Sequence, residues 1–163
     1  MNFYSFTKHL SVFFIGVWIG MLALLGYGVA PEIFKFMESK TQAGLLNGII
    51  LHKMNILEWI AGILLLFSVI VSYVLKRQIK NLTALAVAAL MVGLLFYYSR
   101  VITPKMEQLK TVIENFDVPM SEDPRSERTD FDRYHRQYSG LVKTNLILGI
   151  GLAFFISFNR KNE

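Results

Sequence analysis

The chain has no cysteine. That excludes disulfides, thiolate nucleophiles and cysteine metal sites. Histidine is scarce, with His9, His52 and His135 the only three in 163 residues. No two of them share an i, i+4 spacing, so no helical metal-ligand motif is completed. Charge is also thin: 18% of the residues are Asp, Glu, Lys or Arg, where about a quarter is usual for a soluble domain. Phosphate loops, serine-nucleophile elbows and metalloprotease helices are missing. No internal repeat or low-complexity tract divides the chain. No nucleophile–base pair stands out, which points away from an enzyme and leaves only one acting on lipids open.

What the sequence does contain is apolar residues, 53% of the total, with a mean hydropathy of +0.42. They concentrate in four stretches, about 10–29, 56–75, 82–102 and 141–158, each of a length suited to crossing a bilayer. The first is too long for a signal-peptide core, and no small-residue cleavage pattern follows it. The expected fold is all-α: a four-helix transmembrane bundle forming a single integral membrane domain over 1–163. Pro31 and Pro104 fall just past the first and third spans, where a helix ends or kinks. The lead-in to span two is amphipathic and free of proline, so that helix should begin near Ala43; the fourth should likewise start early, near Thr129, and both should project beyond the bilayer. The loop of about 103–140 should hold an extra amphipathic helix, because Met106, Leu109, Val112, Ile113 and Phe116 recur at helical spacing. A polar stretch broken by Pro119 and Pro124 follows it.

The net charge of +5 reads as a topology signal rather than as a nucleic-acid surface. Four spans place both termini and the 76–81 loop on one side. That side carries Lys8, Lys76, Arg77, Lys80, Arg160 and Lys161 against Glu163 alone, leaving 11 basic and 11 acidic residues elsewhere. Short basic flanks face the cytoplasm. Both termini should therefore be cytoplasmic, in a cell membrane (the inner membrane if the source is a bacterium), with the long loop outside.

Helical wheels at about 100° per residue locate the faces that turn inward. On the second helix Gly44, Gly48, His52, Asn55, Glu58, Trp59 and Gly62 share one arc. On the fourth, His135, Tyr138, Ser139, Asn145 and Gly149 cluster in the same way. Gly16, Gly20, Ala23, Tyr27, Ala30 and Phe34 align on the first helix, and Ala86, Ala89, Gly93, Phe96, Arg100 and Pro104 on the third. Such small-residue stripes allow close helix approach, so both are expected to be packing faces. Glu58 and Arg100 lie nearest the apolar core. A charge there is costly unless paired, so a buried Glu58–Arg100 ion pair is expected, with Asn55 and Tyr97 or Tyr98 nearby.

Several blocks bring a resemblance into view: GVWIG at 16–20, VAPEIF at 29–34, AGLLNGII at 43–50, VITPKM at 101–106 and FDRYHRQYSGLVKTN at 131–145. Their order and spacing resemble the transmembrane-protein-205-like family of small four-span membrane proteins, also known as domain of unknown function 4149. The resemblance assigns family positions to Pro31, Phe34, Pro104, His135, Ser139 and either Arg133 or Arg136. It implies no biochemical activity.

Three functional classes follow. The first is a non-enzymatic protein that binds a small ligand, lipid or ion in an outward-facing polar pocket of His52, Asn55, Glu58, Arg100, His135, Ser139 and Asn145. The second is a membrane redox protein with haem or copper on His52 and His135. The third is an accessory subunit, either a homo-oligomer or part of a larger membrane complex. The lipid bilayer is a partner in all three; nucleic acid is a partner in none.

Overall fold

The computed structural model describes residues 2–161, with side chains described to residue 158. Arg160, Lys161 and Glu163, counted in the charge argument above, lie outside the described side chains. The described backbone is helical, with four helices long and apolar enough to cross a membrane: α1 (Phe3–Phe36), α2 (Lys40–Leu75), α3 (Ile79–Ile113) and α4 (Ser126–Lys161). They pack in a ring, α1 against α2 and α4, and α3 against the same two. The links at 37–39 and 76–78 are too short for anything but antiparallel neighbours. The result is an up-and-down four-helix bundle, with the two termini at one end (the terminal end) and the 37–39 and 114–125 connections at the other (the loop end).

The helices outrun the apolar spans. A 36-residue helix such as α2 is about 54 Å long, against about 30 Å of bilayer hydrocarbon. Both lead-ins are helical, and α2 and α4 each begin three residues earlier than expected, at Lys40 and Ser126. The amphipathic stretch after Pro104 is present as Thr103–Ile113, but it continues α3 directly and packs on α4. Neither Pro31 nor Pro104 ends its helix. Each follows a π-helical turn, Leu24–Val29 in α1 and Tyr97–Ile102 in α3. In these turns the Ala30 N–H donates to Leu25 O and the Thr103 N–H to Tyr98 O. Reaching five residues back steps over the bond that a proline cannot make.

The core explains the packing. Ile15, Trp18 and Leu22 of α1 meet Ala61, Leu65 and Val69 of α2, Ala88, Met91 and Leu95 of α3, and Leu152 and Ile156 of α4. Toward the terminal end the contact between α1 and α2 becomes polar. Thr7 shares a 2.8 Å hydrogen bond with Ser72, and Ser11 one of 2.9 Å with Ser68. Asn81 accepts from the Tyr4 hydroxyl and donates to Ser72 O and Lys76 O. The outer surface is strongly apolar, with Phe3, Phe13, Phe67, Phe154 and Phe158 each more than 60% exposed, as suits a lipid-facing bundle.

Two expected packing faces are corrected. Gly16 and Gly20 on α1, and Ala86, Ala89, Gly93, Phe96, Arg100 and Pro104 on α3, are exposed. The buried α1 stripe instead runs through Thr7, Ser11, Ile15, Trp18 and Leu22, and that of α3 through Ala84, Ala88, Met91, Leu95 and Tyr98. Small residues permit close approach but do not require it; here Trp18 needs the interior volume. The glycines that matter for packing are Gly62, where an added Cβ would lie 3.0 Å from the Trp18 ring, and Gly149, where it would lie 3.1 Å from Ile19. At Gly16 it would meet nothing within 4 Å. Gly62→Val should therefore lower stability by about 1–3 kcal/mol through overpacking. Gly16→Ala should be neutral or stabilise by up to about 1 kcal/mol. Thermal unfolding in a mild detergent measures both; equal losses would contradict this assignment of faces.

Candidate functional site

The polar centre of the bundle is built around Glu58, which is 3% exposed. Its Oε1 accepts from Trp18 Nε1 at 3.2 Å and from the Tyr98 hydroxyl at 3.0 Å. Asn145 Nδ2 donates to Met91 O at 3.3 Å and to the Tyr98 oxygen at 3.4 Å. One residue from each helix thus joins a single network: Trp18 from α1, Glu58 from α2, Tyr98 from α3 and Asn145 from α4. Tyr138 stacks edge-on against Tyr98, with ring centroids 5.4 Å apart. Asn55, also buried, leaves its Oδ1 unpartnered, as does Asn145.

The expected Glu58–Arg100 pair does not form. No basic residue lies within ion-pair distance of Glu58 among the described residues. Arg100 is exposed, with its guanidinium 5.9 Å from the centre of the Trp59 ring. Tyr98, two residues before Arg100, turns inward to Glu58 instead, and Arg100 meets α2 at its outer edge, beside Trp59.

A cavity of about 650 Å³ begins at Glu58. Leu22, Leu25, Ala30 and Phe34 of α1, Leu45 and Leu51 of α2, Met106 of α3, and Phe131, Val142 and Leu146 of α4 wall it. It is long and narrow: lining residues run from Lys40 to Glu58 on α2 and from Arg128 to Leu146 on α4, about 27 Å along each helix by helical rise. The expected polar pocket is therefore mostly apolar. Glu58, His135 and Ser139 line it. Asn55 and Asn145 are buried and do not line it, nor does the exposed Arg100. His52 lines an adjoining cavity of about 410 Å³ with Lys53, Thr103 and Glu107, and Leu45, Gly48 and Leu51 border both spaces. The two candidate haem or copper ligands, His52 and His135, thus line different, adjoining cavities. The described residues contain no group of three or more His, Cys, Asp or Glu placed to hold a metal.

The 114–125 loop closes the far end of the long cavity. Asp117 caps α2 from outside, accepting from the Ser39 and Thr41 hydroxyls at 2.8 and 3.0 Å and from the Lys40 and Thr41 backbone. Those bonds, Ser39 first, hold its carboxyl below the usual range. Arg125 forks onto Asp123 and donates to Val112 O and Ile113 O at the end of α3. Its guanidinium holds the Asp123 carboxyl at about 2. The folded carboxyl is thus more acidic than the unfolded one, so this clamp adds stability above the ordinary Asp range and loses it as pH falls through about 2. Arg128 donates to Phe116 O and Val118 O and covers the Phe116 ring at 4.4 Å. Phe116 packs on Phe131, and Phe131 on His135.

Sequence reasoning missed Trp18 and the Ser/Thr ladder between α1 and α2; of the two tyrosines expected near Glu58, Tyr98 is the one that reaches it. The ladder had a signal, because Thr7/Ser11 and Ser68/Ser72 are i, i+4 hydroxyl pairs beside or within apolar spans. Trp18 resembled ordinary filling.

The geometry defines a four-helix bundle, apolar and long enough to cross a membrane, with a ligand-sized, partly open cavity between its helices. Residues 13–115 match the family model described as Domain of unknown function (DUF4149); the match covers more than half of the chain, which belongs to that family. The matched region includes Trp18, Glu58 and Tyr98 and ends before the 131–145 block. It does not extend to the narrower transmembrane-protein-205-like name. No curated protein and no solved structure matches the chain significantly.

Tyr98→Phe removes the hydroxyl that Glu58 and Asn145 share. It should cost about 1–3 kcal/mol, because it leaves a buried acceptor underserved. Arg100→Gln should cost less than about 0.5 kcal/mol. Denaturation in detergent compares the two, and an Arg100 loss matching that of Tyr98 would restore the ion pair.

Proposed function

We propose that this protein is a membrane-embedded binding protein for an amphipathic ligand with an extended apolar chain. The supporting observation is the shape and lining of the long cavity. Its volume falls in the ordinary range for small-molecule sites, but its length of about 27 Å suits a chain better than a rounded ligand. Apolar walls favour the chain, and the polar groups at both ends favour an amphiphile. The cavity lies in the half of the bundle away from the termini, and all four helices contribute to its lining.

Gly44 tests the reading with little structural cost. It lines the cavity, and an added Cβ there meets nothing within 4 Å. Gly44→Leu should fill cavity space without moving a neighbour, and should weaken binding of a decyl-chain probe at least tenfold while leaving the unfolding temperature within a few degrees. Unchanged binding in a folded Gly44→Leu protein would overturn the proposal.

The orientation we infer has both termini cytoplasmic in a cell membrane, supported by the basic flanks at Lys8, Lys76, Arg77 and Lys80. Because the chain has no native cysteine, single-cysteine labelling reads it directly. In intact cells Ser121→Cys should react with a membrane-impermeant maleimide, and Gln78→Cys should react only after permeabilisation. The reverse pattern would invert the topology. The transmembrane-protein-205-like assignment remains a proposal carried by the sequence blocks alone.

A further inference from the structure

Glu58 is the only acidic residue buried in the bundle among the described residues. Its environment is incomplete for an ionised carboxylate. Trp18 and Tyr98 both donate to Oε1, and Oε2 accepts no hydrogen bond from any described residue. No cation is within ion-pair distance, and the two donors are neutral. A carboxylate in a water-poor interior needs a counter-charge or must take up a proton. The site is also reachable, because Glu58 lines the end wall of the cavity.

We propose that Glu58 recognises the cationic end of the bound amphiphile, and that the ligand class is a single-chain organic ammonium. This rests on the reading of the cavity as a chain-binding site and adds the charge of the ligand. In the empty site the carboxyl holds a proton. The arriving ammonium pairs with the carboxylate, and the proton leaves to water. No covalent bond to the ligand forms or breaks, and charge balances as one cation exchanges for another. The other groups facing Glu58 support this exchange. α1 contributes the Trp18 indole, α3 the Tyr98 phenol, and α4 the Tyr138 phenol; none is basic. Lys143 of α4 also lines the cavity without pairing to Glu58. Lys40 lines it about 27 Å from Glu58 along α2 by helical rise, beyond the screening length of roughly 8 Å at physiological salt; Arg128 and His135 line it on α4, and Lys110 on α3 is paired with Glu107.

Trp18 supplies a reporter bonded to the carboxylate itself. The chain has two tryptophans, so Trp59→Phe leaves Trp18 as the single emitter. This variant, in a nonionic detergent, is titrated with decyltrimethylammonium, decanol and decanoate. The ammonium should give a saturable emission change with an affinity at least tenfold above that of decanol, and decanoate should bind no better than decanol. Adding Glu58→Gln, which keeps the shape and an oxygen acceptor, should remove that tenfold preference. Affinity for the ammonium should fall as pH is lowered, because the proton competes for the same oxygen, and the decanol affinity should not follow it.

Equal binding of ammonium and alcohol, unchanged by Glu58→Gln, would overturn the cation site and leave the chain-binding cavity standing. Tighter binding of decanoate would overturn it in favour of an anionic ligand. Failure of all three probes to bind the folded protein would overturn the cavity reading and the cation site with it.

Discussion

A carboxyl group enclosed by apolar helices has to be satisfied by its neighbours, and the centre of this bundle is organised by that demand. Glu58 sits on α2, but the groups that serve it come from elsewhere: the Trp18 indole from α1, the Tyr98 hydroxyl from α3, and, through that hydroxyl, Asn145 from α4. In lipid the hydrophobic effect gives helices little reason to choose one partner over another. Directional bonds to a shared oxygen can supply that choice. Gly62 and Gly149 serve the same centre sterically, leaving room for Trp18 and for Ile19 to enter.

The two ends of the bundle solve the polar problem differently. At the terminal end, serine and threonine hydroxyls pair across α1 and α2 while each also bonds to its own helix, as Ser11 does with Thr7 O and Ser72 with Ser68 O. Every hydroxyl there has an outlet whether or not the partner helix is present, so the ladder is cheap to build. At the loop end there is no such ladder. A gap runs between the helices, closed by a connection held through Asp117, Arg125 and Arg128 acting on helix ends and backbone carbonyls. A bundle of uniform apolar packing would not have needed that roof.

Much of the fold was legible because hydropathy and helical period report the same physics that builds a membrane bundle. The four spans, the extensions of α2 and α4 beyond them, and the helical stretch after Pro104 all emerge from the sequence. Glu58 and Asn145 were legible as buried because a lipid-facing surface does not collect such groups. The partners of Glu58 were only partly legible. A charge invites another charge, and Arg100 was the nearest candidate, but two neutral aromatic donors took its place. Nothing in a single sequence distinguishes a tryptophan that donates to a carboxylate from one that fills space. The faces of α1 and α3 were misjudged for a related reason. Glycine and alanine stripes mark where helices are able to meet, whereas Trp18 and Met91 mark where they do.

The two π turns carry a consequence of phase. A π turn holds one residue more than the α-helix around it, so everything beyond it is rotated by about 100° relative to an uninterrupted helix. In α1 the positions on the cavity wall step from Leu22 to Gly26, Ala30 and Phe34; in α3 the buried positions step from Tyr98 to Ile102 and Met106. Deleting one residue from 24–29 would regularise α1 and swing Ala30 and Phe34 off that wall. The cavity therefore depends on a single surplus residue in the helix beside it as much as on the side chains that line it.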